Sequence, residues 1–490
     1  MIRLTRPFLT VCLLLLLSLT ASAAGIQPIK YVFLFIGDGM SIPQIQMTEE
    51  YLQKTENRGL KFHSMPYRSI TTTHAAGDQW ITDSAAAGTA IACGEKTKNG
   101  TLGLDPEGNR LESVAELALK NGRKIGIISC VTITHATPAS FYAHNGGRGN
   151  AYEIGLDLVA SGFHYFGGGG VERNNDKGSQ QYRGDIYDLA KEAGYTVCRT
   201  AEEMQSLKPG AEKVLVSGSG GNLPYAINGI PEGLRLVDFT KQAAELLDNP
   251  NGFFMMVEGG KIDGACHGND AATAVRETIE FDAAVSAAFD FAAKKPGEVL
   301  IVVTADHETG ALIVSASDTG SQVYLSLLSN QKGSKDALAA ITEKFVKDNP
   351  ENATFERFKP IITEQSGLEF SENGVWKRGT LGLKKDEMKM LEDDFAASKQ
   401  AIEENKSGKD KVANTMVRLV NSKSGITWSS GGHSALPVCT ATWGNQAAEI
   451  AVNIRDNTDI AKQLKQAVAP LSKGQQDVQP RDKNRARRTR

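Results

Sequence analysis

The sequence predicts an α/β protein: a large central, mostly parallel sheet flanked by helices on both faces, with a helical insertion near the active site. Two observations carry this expectation. Apolar runs of strand length recur at Tyr31 to Ile36, Lys124 to Val131, Phe253 to Val257 and Val299 to Thr304, and near-continuous runs of this kind mark strands buried on both faces. Amphipathic stretches lie between them near 113–121, 150–161, 186–194 and 234–249, and such alternation favours parallel strands joined by crossover helices. Sheets of this type bind ligands beyond the carboxyl ends of their strands.

Composition bounds the function. The chain has 490 residues, 41% hydrophobic and 23% charged, with 49 glycines. This globular balance excludes disordered, collagen-like and coiled-coil classes. The net charge of −3 lacks the basic excess of a nucleic-acid partner, so none is expected. Residues 1–23 read as a secretory signal peptide: Arg3 and Arg6 precede an apolar run from Phe8 to Leu19, and Ala21-Ser22-Ala23 supplies the cleavage pattern. That run is shorter than the ~20 residues a bilayer-spanning helix needs, so no stable membrane anchor is expected and the product is periplasmic or secreted. Residues 24–475 are read as one domain and 476–490 as a basic, disordered tail. After Cys12 leaves with the signal, Cys93, Cys130, Cys198, Cys266 and Cys439 remain, an odd and scattered set that makes no disulfide framework.

Each predicted strand runs into chemistry. The first is followed by Gly37-Asp38-Gly39, the second by His135 and Thr137, the third by Glu258 with Asp263 and His267, and the fourth by Asp306-His307-Glu308; His433 sits in the loop Ser430-Gly431-Gly432-His433. Taken singly, Asp38 is equally a turn former or helix cap, and a lone histidine needs no ligand. Asp263-x-x-x-His267 is more specific, because residues four apart on a helical turn share a face and can share a zinc ion. Metal-ligand types recurring along one sheet edge favour a metal site.

A second constellation is Thr82-Asp83-Ser84-Ala85-Ala86-Ala87-Gly88-Thr89-Ala90. Asp83 or Ser84 can cap the small-residue helix that follows. Ser84 can also be a nucleophile at a helix N-terminus, where free N–H groups attract anions. Without a Gly-x-Ser-x-Gly elbow, its activator would be a metal ion.

Together these motifs resemble those of alkaline phosphatases: Gly37-Asp38-Gly39-Met40, Thr82-Asp83-Ser84-Ala85-Ala86, His135-Ala136-Thr137-Pro138-Ala139, Val257-Glu258-Gly259, Asp263-x-x-x-His267 and Thr304-Ala305-Asp306-His307-Glu308-Thr309-Gly310 occur in that family's order. His433 and a strand around Val438 to Trp443 close the match. The resemblance implies that Ser84 is phosphorylated during turnover. It further implies one zinc ion on Asp263, His267 and His433, and a second on Asp38, Asp306 and His307 that also activates Ser84. A third metal, usually magnesium, would be held by Asp38, Thr137 and Glu258 with His135 beside it. Arg148, in Tyr142-Ala143-His144-Asn145-Gly146-Gly147-Arg148, stands where the family clamps phosphate, although a surface salt bridge would also account for it.

Some features depart from the family. His135 occupies a position that carries Asp in some members and His in others, which leaves the third metal's identity open. The interval between His307 and His433 is long, with helical patterns at 337–348, 384–404 and 409–421. Residues 315–430 are read as an inserted helical cap, with a solvated decoration or a dimer contact as alternatives; a homodimer is implied by resemblance alone. Gly167 to Gly170 reads as a loop. The expected function is a secreted phosphomonoesterase acting on small-molecule phosphate monoesters. A phosphodiesterase of the same superfamily and a non-catalytic metal- or phosphate-binding protein are the alternatives.

Overall fold

The computed structural model describes residues 28–470 except 209, 219, 316–319 and 372–375. The signal peptide expected over 1–23 and the tail expected over 476–490 lie outside the described residues. In chain order the strands are β1 Tyr31–Ile36, β2 Tyr67–Thr71, β3 Lys124–Ser129, β4 Tyr165–Gly168, β5 Thr196–Cys198, β6 Val214–Ser217, β7 Phe253–Glu258 and β8 Val299–Thr304. The short β9 Glu308–Thr309, β10 Leu312–Val314, β11 Ile426–Trp428 and β12 His433–Ser434 precede β13 Val438–Gly444. Nine strands form one sheet in the order β2-β13-β8-β1-β7-β3-β4-β6-β5. It is parallel except for β13, which runs against both β8 and β2.

The four strands read from apolar runs are β8, β1, β7 and β3, four neighbours at the centre of this sheet. In β1, Tyr31, Phe33 and Phe35 pack into one apolar cluster and Val32, Leu34 and Ile36 into another. Both faces are therefore covered, and the strand is apolar along its length. Register then fixes the active edge. Ile36 is level with Glu258 on one side and Thr304 on the other, and Glu258 is level with Ser129. The residues that follow β1, β7, β3 and β8 emerge side by side.

Helices Val114–Lys120, Ala151–Ala160, Ile186–Glu192 and Leu236–Leu247 fall within the amphipathic stretches. The longest described helix, Ala271–Lys294, was not anticipated. Its buried face is written largely in alanine, including Ala271, Ala272, Ala274, Ala284, Ala288 and Ala292, which gives a weak apolar period. Between residues 315 and 430 the helices are Lys335–Asp348, Phe355–Ser366, Lys385–Glu403 and Lys411–Ser424; the second of these was not expected either. Phe358, Leu391, Phe395, Val412 and Met416 join them to the same apolar cluster that lines one face of the sheet. The five cysteines after Cys12 are all free thiols. No helix among the described residues is long and apolar enough to cross a membrane.

The glycine run corrects one expectation. Gly167 and Gly168 end β4 rather than forming a loop. Gly168 has φ 135°, and a Cβ there would lie 1.7 Å from the Ser129 carbonyl oxygen. Only glycine lets β4 close on β3 at this point. Gly168→Ala should therefore cost about 3 kcal/mol or more, lowering Tm by several degrees in a thermal melt followed by circular dichroism. Gly220→Ala, where a Cβ meets nothing within 4 Å, should leave Tm within about 1 °C. Equal melting of the two variants would contradict the packing account.

Candidate active site

Four carboxylates converge at the carboxyl edge of the sheet. Asp38 follows β1 and is fully buried, and neither of its side-chain oxygens has a hydrogen-bond partner. Glu258 ends β7; its Oε2 accepts from the Ser129 hydroxyl and its Oε1 lies 3.0 Å from His135 Nδ1. Asp306 follows β8, and its Oδ1 accepts from the amides of Gly39 at 3.2 Å and His307 at 3.0 Å. Thr137 Oγ1 stands 3.5 Å from Asp306 Oδ2. Asp263 lies in the short helix Lys261–His267, where Thr309 Oγ1 donates to its Oδ1 at 2.5 Å. Gly39, at φ 71°, passes so close that a Cβ would sit 2.9 Å from Thr309 Oγ1.

The histidines are oriented from behind. His267 Nδ1 donates to the Gly431 carbonyl at 2.7 Å, and His433 Nδ1 donates to the Thr82 carbonyl at 2.8 Å. A carbonyl can only accept, so each Nδ1 carries a proton, and in the neutral ring, the form that binds a cation, each Nε2 has a lone pair to offer. Those two Nε2 atoms are 3.2 Å apart, and they lie 3.3 and 3.6 Å from the two oxygens of Asp263. His307 Nε2 is 3.5 Å from Asp38 Oδ1, 3.3 Å from Asp306 Oδ2 and 3.3 Å from Ser84 Oγ. The ligand atoms form three overlapping trios, Asp263 with His267 and His433, Asp38 with Asp263 and His307, and Asp38 with His135 and Glu258, each within a 4.8 Å span. Asp263 thus stands between the first two, while Asp306 flanks His307.

Electrostatics explain what such a cluster demands. Burial, and then the charges of Asp306, Asp263 and Glu258, hold Asp38 well above the usual carboxylate range. Burial and Asp263 push Asp306 up to about 7. Burial would raise Asp263 as well, but His267, the His307 imidazole and the Thr309 hydroxyl together outweigh it and hold it low; the hydrogen bond to Asp263 pushes His267 up to about 9. Burial keeps His307 neutral, down to about 4. Buried carboxylates this close together must either take up protons, as the raised values of Asp38 and Asp306 indicate, or face cations.

Ser84 is the first residue of the helix Ser84–Cys93 and is almost fully buried. Its helix can approach because its residues are small: a Cβ on Gly88 would lie 2.7 Å from Ser140 Oγ. Asp83 is the cap. Its Oδ1 accepts from the Ala86 amide, and its Oδ2 accepts from the Gly100 amide and from Arg148 Nη1, each at 3.0 Å. Burial would raise Asp83, but these donors outweigh it and lower its pKa. Arg148 Nη2 lies 3.1 Å from His135 Nε2. Because a guanidinium only donates, that nitrogen accepts, and Nδ1 carries the proton toward Glu258.

All the residues singled out from sequence therefore meet at one edge. Sequence reasoning treated Asp83 only as a possible cap and passed over Thr309 and Ser129. Thr309 lay inside a quoted motif and Ser129 inside the predicted strand Lys124 to Val131, two residues before its end, so position offered a signal; the pairing of Asp83 with Arg148, 65 residues apart, offered none.

A buried serine at a helix start beside carboxylate and imidazole trios, at the carboxyl edge of a parallel sheet, fits a metal-binding hydrolase of the α/β class. More particularly, the chain belongs to the alkaline phosphatase family, whose family model matches residues 29–469. Alkaline phosphatase 3 of Bacillus subtilis is 31% identical over 452 residues, covering 90% of this chain and 89% of the relative. The cold-active alkaline phosphatase of a Shewanella species shares the fold with a TM-score of 0.74 at 23% identity, over 90% of this chain and 100% of that one. The Thermus thermophilus alkaline phosphatase does so with a TM-score of 0.73 at 24% identity, over 90% and 91%.

Removing metal should leave the buried carboxylates uncompensated. Dialysis against a chelator is expected to lower Tm by several degrees, as loss of a ligand held at about 1,000 times its Kd removes about 4 kcal/mol. Restored divalent metal should reverse the fall. Asp38→Asn, which removes one unpaired buried charge, should raise the Tm of the stripped protein. A chelator-insensitive melt would refute this.

Proposed function

We propose that the chain is an exported, metal-dependent phosphomonoesterase that hydrolyses phosphate monoesters through a phosphoserine on Ser84. The observation that carries the reading is Asp38, a buried carboxylate with both oxygens unpaired, next to the same His307 nitrogen that approaches the Ser84 hydroxyl. Zinc suits the imidazole and carboxylate sets Asp263, His267, His433 and Asp38, Asp306, His307. Magnesium, which prefers oxygen, suits Asp38, Thr137 and Glu258 with His135 beside them. When bound, such ions lower the pKa of a hydroxyl or water and neutralise charge on phosphoryl oxygens. The helices between 315 and 430 are read as a cap beside this site.

The chain's own groups then do the following. Ser84 Oγ attacks phosphorus; the bond from phosphorus to the ester oxygen breaks on the opposite side, and the alcohol leaves with the proton Ser84 gave up. Water next attacks the same phosphorus, the bond to Oγ breaks, and inorganic phosphate departs as the hydroxyl reforms. The N-terminus of the helix Ser84–Cys93 adds partial positive charge. Arg148 offers a planar fork to unbridged oxygens, held from both sides by Asp83 and His135. A monoester presents more such oxygens than a diester, which favours the monoesterase.

Ser84→Ala should lower turnover of nitrophenyl phosphate by about a thousandfold or more, with an unchanged circular dichroism spectrum. A labelled phosphoenzyme trapped in this variant would sink the assignment, and faster hydrolysis of bis-nitrophenyl phosphate than of nitrophenyl phosphate would favour the diesterase. At the third site, a neutral imidazole supplies one negative charge fewer than a carboxylate. His135→Asp should therefore retain more magnesium by elemental analysis and reach full activity at a lower magnesium concentration. Identical magnesium titrations would remove His135 from the metal argument.

A further inference from the structure

We propose that Lys335 and Tyr225 form a leaving-group subsite beside His267, which selects phosphate monoesters whose alcohol carries a second anionic group. This rests on the phosphomonoesterase reading above and adds the substrate class. A cavity of about 230 Å³ adjoins the catalytic edge, lined by Tyr225, Gly264, His267, Asp270, Ser334 and Lys335. Its position follows from the chemistry. Phosphoryl transfer keeps attacking and leaving oxygens in line, and Ser84 approaches from the His307 side. The leaving group is thereby directed to the far side, past Asp263, His433 and His267.

Two polar groups there are uncommitted. The Lys335 side chain lies along Gly268, directly after His267, yet its ammonium makes no ion pair or hydrogen bond with any described residue, although its backbone amide is tied to Asp270. The Tyr225 hydroxyl stands over Gly264, directly after Asp263, where a Cβ would meet it at 2.7 Å. The Lys261 ammonium, 3.5 Å from the ring centroid, fixes the ring from its face. No described partner takes up the hydroxyl.

The acidic groups of the cavity are less available. Asp270 accepts from the Thr273 amide and hydroxyl, from Gln331 Nε2 and from the Lys335 amide, so its lone pairs are taken. Asp336 also lines the cavity but is exposed, where water and salt screen it. What remains is a partly buried ammonium and a hydroxyl donor, a pair that suits a carboxylate or second phosphate on the departing alcohol.

The test compares 4-(carboxymethyl)phenyl phosphate with 4-(aminomethyl)phenyl phosphate on the metal-loaded enzyme and its variants. The ratio of their kcat/KM values should fall about fivefold in Lys335→Met and further in Lys335→Glu, and should be largely restored in Lys335→Arg. Tyr225→Phe should lower it about threefold. Added salt should erode the wild-type preference and leave the Lys335→Met ratio unmoved. Lys332→Met, on the exposed approach to the same helix, is the control and should keep the wild-type ratio. An unchanged ratio in Lys335→Met and Lys335→Glu, with nitrophenyl phosphate still hydrolysed by the wild type, overturns the subsite and spares the phosphatase reading. Absence of any monoester hydrolysis by the wild type overturns the reading itself.

Discussion

The cost of gathering like charge in a dry place governs this molecule. β1, β7 and β8 end level with one another, so the carboxylates that follow them cannot avoid each other. At a few ångströms and low dielectric their repulsion is worth several kcal/mol per pair. The fold can satisfy a buried carboxylate when it needs to. Glu308, on the same edge, accepts from Gln44, from the amides of Ala311 and Leu312, and from the Ser434 hydroxyl. Asp38 receives nothing. Two fully buried acids on one edge, one saturated with donors and one bare, separate a structural carboxylate from one built to face a cation.

Ser84 depends on the same edge through a different constraint. Ser84 reaches His307 only because the helix behind it is made of small residues that let it pack against the turn of residues 136–140. Asp83 does two things at once: it caps that helix and anchors Arg148. The cap position relative to the serine is set by helix geometry, so the guanidinium is indexed to the hydroxyl through one carboxylate. On the reading proposed above, orientation of this kind would lower the entropy lost when a phosphoryl group binds.

How much was legible in the sequence follows from where each residue sits. β1, β3, β7 and β8 were visible because strands buried on both faces are apolar through their middles, with polar residues only at their ends. β4, β5 and β6 were not, since each is only three or four residues long and such runs carry little period. The Ala271–Lys294 helix hid because alanine contributes little apolar contrast. In the site, Asp38, Glu258, Asp306 and the histidines announced themselves as reactive types at strand ends. The bridge from Asp83 through Arg148 to His135 and Glu258 is a product of tertiary folding, as is the approach of Lys335 to His267, and no local spacing encodes either.

The helices between 315 and 430 gain meaning from where they are fastened. Asp270 accepts from the Lys335 amide, and Asn421 Nδ2 donates to the Asn269 carbonyl at 2.7 Å. Both attachments lie within three residues of His267. Their apolar side chains continue the cluster that covers one sheet face, so the helices are continuous with the core. A group that discriminates between substrates must be held within fractions of an ångström of the reacting atoms. Fastening these helices to the turn that carries His267 meets that requirement, and on the reading proposed above it separates two tasks: strand ends fix the charge that would handle phosphate, while the helices are left to vary what would surround the departing alcohol. On that reading, substitutions there would alter the surroundings of the alcohol without disturbing Asp38, Glu258, Asp263 or Asp306, because among the described residues no hydrogen bond joins those four carboxylates to a side chain of the helices.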